Sequence, residues 1–324
     1  MSKLRVAVVG VGHLGQHHAR IASASEAAEL MAVVDPSPER GNEIAGKFQT
    51  RWVANLADIL SEVDAVQIAA PTGLHHALGL EVLKAGKHLL MEKPLAANLV
   101  EAEALLATLA IARITNPNLV ACVGHLERFN PAVVALRAAN FKPKFIEAIR
   151  VSPFPMRSLE VDVVMDVMIH DLDLLMALVQ RPVVDVEAVG VPVLTKYPDL
   201  VNARLKFEGG AFATVTASRV ARKKERTLRA FGNQEYASLD FAAQKLEILR
   251  LKIGENGPEV IPETVDIEEG EPLKLEIEAF YQACQGQGQG QDYVSWAEGL
   301  EAMRVADLVQ KAVDLSLAAM LEGY

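Results

Sequence analysis

Residues 6–19, VAVVGVGHLGQHHA, constrain the fold more than any other stretch of the chain. A short apolar run leads into Gly10, Gly12 and Gly15, spaced G-x-G-x-x-G, and then into a segment of helical character. The first glycine permits a tight turn and the second lets main-chain amides approach a pyrophosphate. The third lets helix pack on strand, and the helix N-terminus adds partial positive charge. Alone the pattern is weak, and an ordinary strand-to-helix turn is its other reading. Asp35, at the end of ELMAVVD, strengthens it, because a carboxylate there accepts hydrogen bonds from an adenosine ribose and repels a 2′-phosphate. The expected cofactor is NAD, with NADP the lesser alternative that Arg40 keeps open. His13 and Leu14, between the glycines, are expected to lend main-chain groups near the phosphates, whereas His17 and His18 read as helix-surface or packing residues.

Up to about residue 120, LRVAVVG, ELMAVVD, DAVQIAA, KHLLMEK and LVACVG alternate with helical patterns. Strands apolar along their whole length, separated by helices, imply a doubly wound parallel sheet, an α/β Rossmann domain over residues 1–124. Asn55 and Asn98 stand where helix N-caps belong, and Gly86 where a helix ends. Later the rhythm changes. A helix around 160–180 precedes VDVEAVGV, LVNARLKF, AFATVTAS, RTLRAFG, YASLDF and KLEILRL, which predict an α+β domain over 125–324 with a large, mostly antiparallel open sheet. QGQGQGQ at 285–291 reads as a surface loop, and the terminal WAEGLEAMRVADLVQKAVDLSL as a helix packing back across the body.

A chain of 324 residues, 51% hydrophobic and 23% charged, has ample core for two folded domains. Its net charge of -10 argues against general binding to nucleic acid or a membrane surface. No apolar run is long enough to span a bilayer, and the N-terminal run is interrupted by glycines, unlike a signal peptide. Cys122 and Cys284 match no zinc or redox spacing, so reduced thiols and a cytoplasmic setting are expected.

Residues 163–175, VVMDVMIHDLDLL, raise a chemical question: why does so apolar a helix carry titratable groups? Four-residue spacing puts Asp166 and His170 on one face, with Asp173 three residues further along the same stripe. Asp166 and His170 could act together on one ligand, or be hydrogen-bonded polar groups at a domain seam. A divalent metal site is the competing functional reading. With one histidine on the helix, no metal is expected. Asp173 reads as structural.

The stretch AAPTGLHHALGLEVLKAGKHLLMEKPLA at 69–96 resembles the glucose–fructose oxidoreductase / inositol dehydrogenase (Gfo/Idh/MocA) superfamily, in which TPNxxHxxxAxxALxAGKHVLxEKPLA recurs. Ala70 replaces the first Thr of that pattern and Thr72 its Asn, which weakens one loop assignment beside the cofactor. The resemblance implies cofactor contacts at Gly10, Gly12, His13, Leu14, Gly15, Asp35, Ala70, Pro71, Thr72, His75, Glu92 and Lys93. It also implies that Lys93, Asp166 and His170 are catalytic. The residues agree with the chemistry. KHLLMEK delivers Lys93 to the carboxyl end of a parallel strand, where ligands of such sheets bind. An ammonium there can stabilise a developing alkoxide, and an imidazole with an ordinary pKa near ~6.5 can take the hydroxyl proton. The bland alternative for Lys93 is a surface lysine ending a strand.

Arg128 and Asn130, in GHLERFNP, stand where the chain leaves the nucleotide domain. Arg219, Arg222, Lys223, Lys224, Arg226 and Arg229 form a basic island in an acidic chain. It suits an anionic substrate or is a solvated strand and turn, since alternation sends half of a strand's side chains to the far face. Arg128, Asn130, Arg157, His170 and Arg219 form the expected substrate set. GHLERFNP, DVMIHDLDLL and SRVARKKERTLRAF look most like the branch of the superfamily that oxidises the 3-hydroxyl of UDP-N-acetylglucosamine. The resemblance thus implies an NAD-dependent dehydrogenase of a nucleotide sugar. Alternatives are a dehydrogenase of a free sugar or inositol, and a non-catalytic NAD-dependent regulatory protein. The open sheet face suggests a homodimer or homotetramer.

Overall fold

The computed structural model describes residues 2–154, 162–254, 257–287 and 293–322. The chain divides into two compact units, Met1–Leu126 with Glu271–Leu300, and Glu127–Gly270 with Glu301–Tyr324. In the first, β1 (Leu4–Val9), β2 (Ala28–Val34), β3 (Arg51–Val53), β4 (Ala65–Ile68), β5 (His88–Glu92) and β6 (Ala121–Gly124) form a parallel sheet in the order β3-β2-β1-β4-β5-β6. Val6, Val8, Ala65, Val66, Leu89 and Leu90 are fully buried, as expected for strands covered on both faces. The strand order reverses between β1 and β4, which opens a crevice at their carboxyl ends.

The crossovers are α1 (Gly15–Ala24), α2 (Pro38–Lys47), α3 (His75–Lys84) and α4 (Leu99–Thr115). Asn98 caps α4 by accepting from Glu101 N at 3.0 Å, and Gly86, at φ +68°, follows the end of α3. Asn55 stands at the N-cap of a 3-10 turn, Leu56–Asp58, where its amide donates to Asp58 and its side chain accepts no capping bond.

The second unit contains α5 (Pro131–Ala138), β7 (Phe145–Val151), a π-helical turn over Val164–Met168 and α6 (Ile169–Val179). Next come β8 (Val183–Val191), β9 (Leu200–Phe207), β10 (Phe212–Ser218), β11 (Glu225–Phe231), β12 (Glu235–Asp240), β13 (Lys245–Gly254) and β14 (Gly257–Thr264). Eight strands order as β14-β13-β12-β11-β7-β10-β9-β8, all pairs antiparallel except β7 with β10. Leu172 and Leu175 of α6 share one core with Ala203, Leu205, Ala213 and Val215 of the sheet. The opposite face carries Phe145, Phe231 and Tyr236, with successive ring centroids 5.8 and 5.2 Å apart.

Two further helices follow, α7 (Pro272–Cys284) and α8 (Trp296–Glu322). α7 sinks Leu273, Ile277, Phe280 and Tyr281 into the first unit's core, and the Trp296 indole donates to the Cys122 carbonyl there at 2.9 Å. Val305, Ala306, Val309 and Val313 of α8 lie in the core of the second unit. Part of the glutamine–glycine run, 288–291, lies outside the described residues. No helix among the described residues is long and apolar enough to cross a membrane.

Candidate active site

In the first unit the expected cofactor residues gather at the carboxyl ends of β1, β2, β4 and β5. Gly10 adopts φ +78°, and a Cβ on it would stand 2.7 Å from the Ala70 main chain, so β1 and the loop after β4 can approach only if residue 10 is glycine. A Cβ on Gly15 would lie 1.7 Å from the Gly10 carbonyl oxygen, which fixes how closely α1 packs on the turn. Gly12 faces open space, with nothing within 4 Å of its Cβ direction. These three environments fit a pyrophosphate cradle: two glycines required by the backbone and one bare edge beside the N-terminus of α1.

Asp35 ends β2. Its carboxylate accepts from the main-chain N–H of Val11 at 3.0 Å and of Ser37 at 2.9 Å, so it is held in place beside the turn. The Arg40 guanidinium lies against the same loop, donating to the Val11 carbonyl at 2.8 Å and pairing with Glu43 at 2.7 Å. The acidic group fits an adenosine ribose with two free hydroxyls. Pro71 and Thr72 lead into the turn before α3, and His75 begins that helix. His75 is buried, with Nδ1 2.9 Å from the Pro94 carbonyl and Nε2 2.9 Å from the Ala70 carbonyl. It therefore ties the loop after β4 to the turn after β5. Burial pushes its pKa below the usual histidine range, although both carbonyls favour the protonated ring. Glu92 closes β5 and is buried; Lys93 follows, half-buried, with its main-chain N–H 3.2 Å from a Glu92 carboxyl oxygen. The Lys93–Pro94 peptide is cis.

In the second unit, Asp166 lies within the π-turn and His170 in the first turn of α6, both half-buried. A π-turn inside a helix is uncommon and recurs at functional sites. The other acidic groups of this stretch hold the helix in place. Asp173 receives a bidentate pair from Arg128, both bonds 2.7 Å, which gives it the structural role expected of it. Asp171 receives another from Arg150 of β7, both bonds 2.8 Å, and Arg150 also reaches Glu127 at 2.7 Å. Arg150 pairs across the sheet with Arg226, whose guanidinium is 3.8 Å from Glu127. Two cations and two anions thus share one mostly buried cluster. Burial opposes the Arg150 charge, but Asp171 and Glu127 outweigh it and push its pKa upward; Arg226 is pushed downward by burial and by Arg150. The local spacing that singled out Asp166 and His170 carries no signal for Arg150, Asp171 or Glu127.

Asn130 caps α5, accepting from Ala132 N at 3.1 Å and donating to the Phe241 carbonyl at 3.0 Å. Arg219 is buried and donates to Asp199 at 2.7 Å. Burial would raise the Asp199 pKa, but the N–H groups of Leu194, Thr195 and Val193, with Arg219, hold it well below the usual carboxylate range. The basic island is therefore dispersed: Arg219 is in a buried pair, Arg229 pairs with Glu147, and Arg222, Lys223 and Lys224 are exposed. Arg157 lies outside the described residues. Among the described residues, no group of three His, Cys, Asp or Glu side chains is placed to hold a metal.

Comparison with known proteins agrees with the dinucleotide-binding reading of the first unit. A family profile described as "Oxidoreductase family, NAD-binding Rossmann fold" matches residues 4–114, and one described as "GFO/IDH/MocA C-terminal domain" matches 154–238. The UDP-N-acetylglucosamine 3-dehydrogenase of Acidithiobacillus ferrooxidans is 40% identical over 87% of this chain and 89% of its own length. A solved structure of the enzyme of that name from the same organism superposes with a TM-score of 0.90 at 36% identity, covering 98% of this chain and 99% of the other. The scyllo-inositol 2-dehydrogenase (NAD(+)) of Bacillus subtilis is 27% identical over 68% of each chain. Levoglucosan dehydrogenase, solved in complex with NADH and levoglucosan, shares the fold at a TM-score of 0.84 and 19% identity, over 97% of this chain and 98% of its own.

Proposed function

Because the chain belongs to the GFO/IDH/MocA family, and is an NAD-binding oxidoreductase acting on CH–OH groups, we propose that its substrate is a nucleotide sugar, UDP-N-acetylglucosamine, oxidised at the 3-hydroxyl. The observation that carries this reading is 40% identity over 87% of the chain to an enzyme of that name. The inositol dehydrogenase relative is more distant in both identity and coverage.

In this proposal the Gly10–Gly15 turn and the α1 N-terminus hold the pyrophosphate of NAD, and Asp35 holds its adenosine ribose. Bound there, NAD supplies the acceptor for the hydride. Lys93 stabilises the negative charge that develops on the alcohol oxygen, and His170 takes the hydroxyl proton. Asp166 orients the imidazole or the sugar. Arg128, Asn130, Arg157 and Arg219 form the substrate-binding set. Of these, Arg128, Asn130 and Arg219 are anchored by Asp173, the start of α5 and Asp199.

Incubating the protein with NAD and a panel of UDP-sugars, free sugars and inositols, and following the absorbance of the reduced cofactor, tests the substrate. Turnover of UDP-N-acetylglucosamine above all others is expected. Turnover restricted to uncharged polyols would replace the reading with its nearest rival. NAD binding without oxidation of any alcohol would favour a regulatory role. The reading also carries self-association through the open sheet face that bears Phe145 and Phe231, and light scattering is expected to give the mass of a homodimer or homotetramer.

A further inference from the structure

Beneath the glycine turn runs a string of buried polar side chains that the proposed chemistry leaves without a task. His18 of α1 is fully buried, with Nδ1 2.8 Å from the Gln67 amide oxygen and Nε2 2.9 Å from a Glu92 carboxyl oxygen. The Gln67 amide nitrogen donates to the Tyr281 hydroxyl of α7. At the other end, the second Glu92 carboxyl oxygen accepts the Lys93 main-chain N–H. All these groups belong to the first unit.

Packing does not account for them. Gln67 interrupts AVQI and Glu92 ends HLLME, strands in which an aliphatic side chain would fill the space with no desolvation cost. The proton inventory of the string is self-consistent. With its amide nitrogen turned to Tyr281, Gln67 presents an acceptor to His18, so Nδ1 carries a hydrogen. Nε2 faces a Glu92 carboxyl oxygen at 2.9 Å, so the two buried groups satisfy one another. Glu92 is thus fixed on one oxygen by a side chain that is itself fixed, and the other oxygen holds the start of the turn that carries Lys93. The end of β6 is kept bare for this carboxyl, because a Cβ on Gly124 would come within 3.0 Å of it.

We propose that His18 is a positioning residue for hydride transfer: it clamps the Glu92 carboxyl, which holds the Lys93 main chain, so that the lysine ammonium is presented to the alcohol in one place. The proposal rests on the reading of Lys93 as the group that stabilises the alkoxide. Small displacements of such a group are costly, on the order of 100-fold in rate for about 1 Å.

His18→Leu is expected to lower kcat by roughly 10- to 100-fold while KM and NAD affinity stay within about threefold of wild type. His18→Gln, whose amide can still donate to Glu92, should recover part of the loss. In a Glu92→Gln background the His18 change should add nothing further. Amide hydrogen exchange reads the clamp without substrate: protection at Lys93 should fall in His18→Leu while the rest of β5 stays protected. Wild-type kcat, losses that multiply across the two sites, or unchanged protection at Lys93 would each overturn the proposal. Should His18→Leu fail to fold, Gly124→Ala displaces the same carboxyl with His18 intact; the same drop in kcat is expected, and a wild-type kcat overturns it. Lys93→Ala separates the two claims. If it turns over normally, the reading of Lys93 fails; if it is inactive while His18→Leu is fully active, only the clamp fails.

Discussion

Arg150 shows what a single buried charge does in this protein. It is 4% exposed, grips Asp171 and Glu127, and lies 5.1 Å from the centre of the Phe241 ring. Removing one partner of a buried ion pair strands the other in a medium of low polarity, at a cost of about 3–5 kcal/mol. Arg150→Ala is expected to lower unfolding stability by that amount in urea titration, whereas Arg222→Ala, at an exposed position, should stay within about 0.5 kcal/mol. Sequence spacing could pick out Asp166 and His170 because their relation is local. Asp171 passed unmarked because its partner lies 21 residues away on another element. His18 read only as a helix-surface or packing residue for the same reason: Gln67 and Glu92 reach it from two strands.

Histidines also set a pH dependence. His88 accepts the Val120 N–H on Nδ1 at 3.0 Å, which requires an unprotonated nitrogen, and burial pushes its pKa below the usual range, as it does for His75. In the folded state both rings take up protons only at lower pH than in the unfolded chain, which does so near pH ~6.5. Their contribution is therefore fully present above about pH 6.5 and is lost as pH falls through that value towards the lower folded pKa. Chemical denaturation between pH 7.5 and pH 5 should show a stability that declines on acidification, and replacing His88 with Gln should flatten the slope.

At the level of elements, the strand–turn–helix at the N-terminus was legible because its requirements are carried by the backbone. Gly15→Ala would drive a methyl group into the Gly10 carbonyl, so α1 must lift from the turn. The cost should exceed the roughly 1–3 kcal/mol of ordinary overpacking, and NAD affinity, measured by calorimetry, should fall with it. Strands of uniform or alternating polarity were equally legible. β3, β7 and β14 were not. β3 has three residues, β7 carries Glu147 and Arg150 in FIEAIRV, and β14 includes two prolines in GPEVIPET. The parallel pairing of β7 with β10 was illegible too, since alternation reports which face is buried and says nothing about the neighbour's direction.

For the molecule as a whole, composition and rhythm are enough to announce a parallel sheet followed by a mostly antiparallel one, and both are present. α7 was not read from the sequence at all, and the core that receives its apolar side chains is that of the first unit. The cofactor class follows from the glycine turn and Asp35, whereas the substrate follows from likeness to a relative and is the part most open to experiment. The proposed chemistry gives Lys93 a role that NAD binding does not need. The most direct measurement is therefore kcat for UDP-N-acetylglucosamine oxidation by Lys93→Ala, taken with its NAD dissociation constant. A loss of about 100-fold or more in kcat, with NAD affinity retained, is the predicted result. Turnover by Lys93→Ala at the wild-type rate would contradict the account.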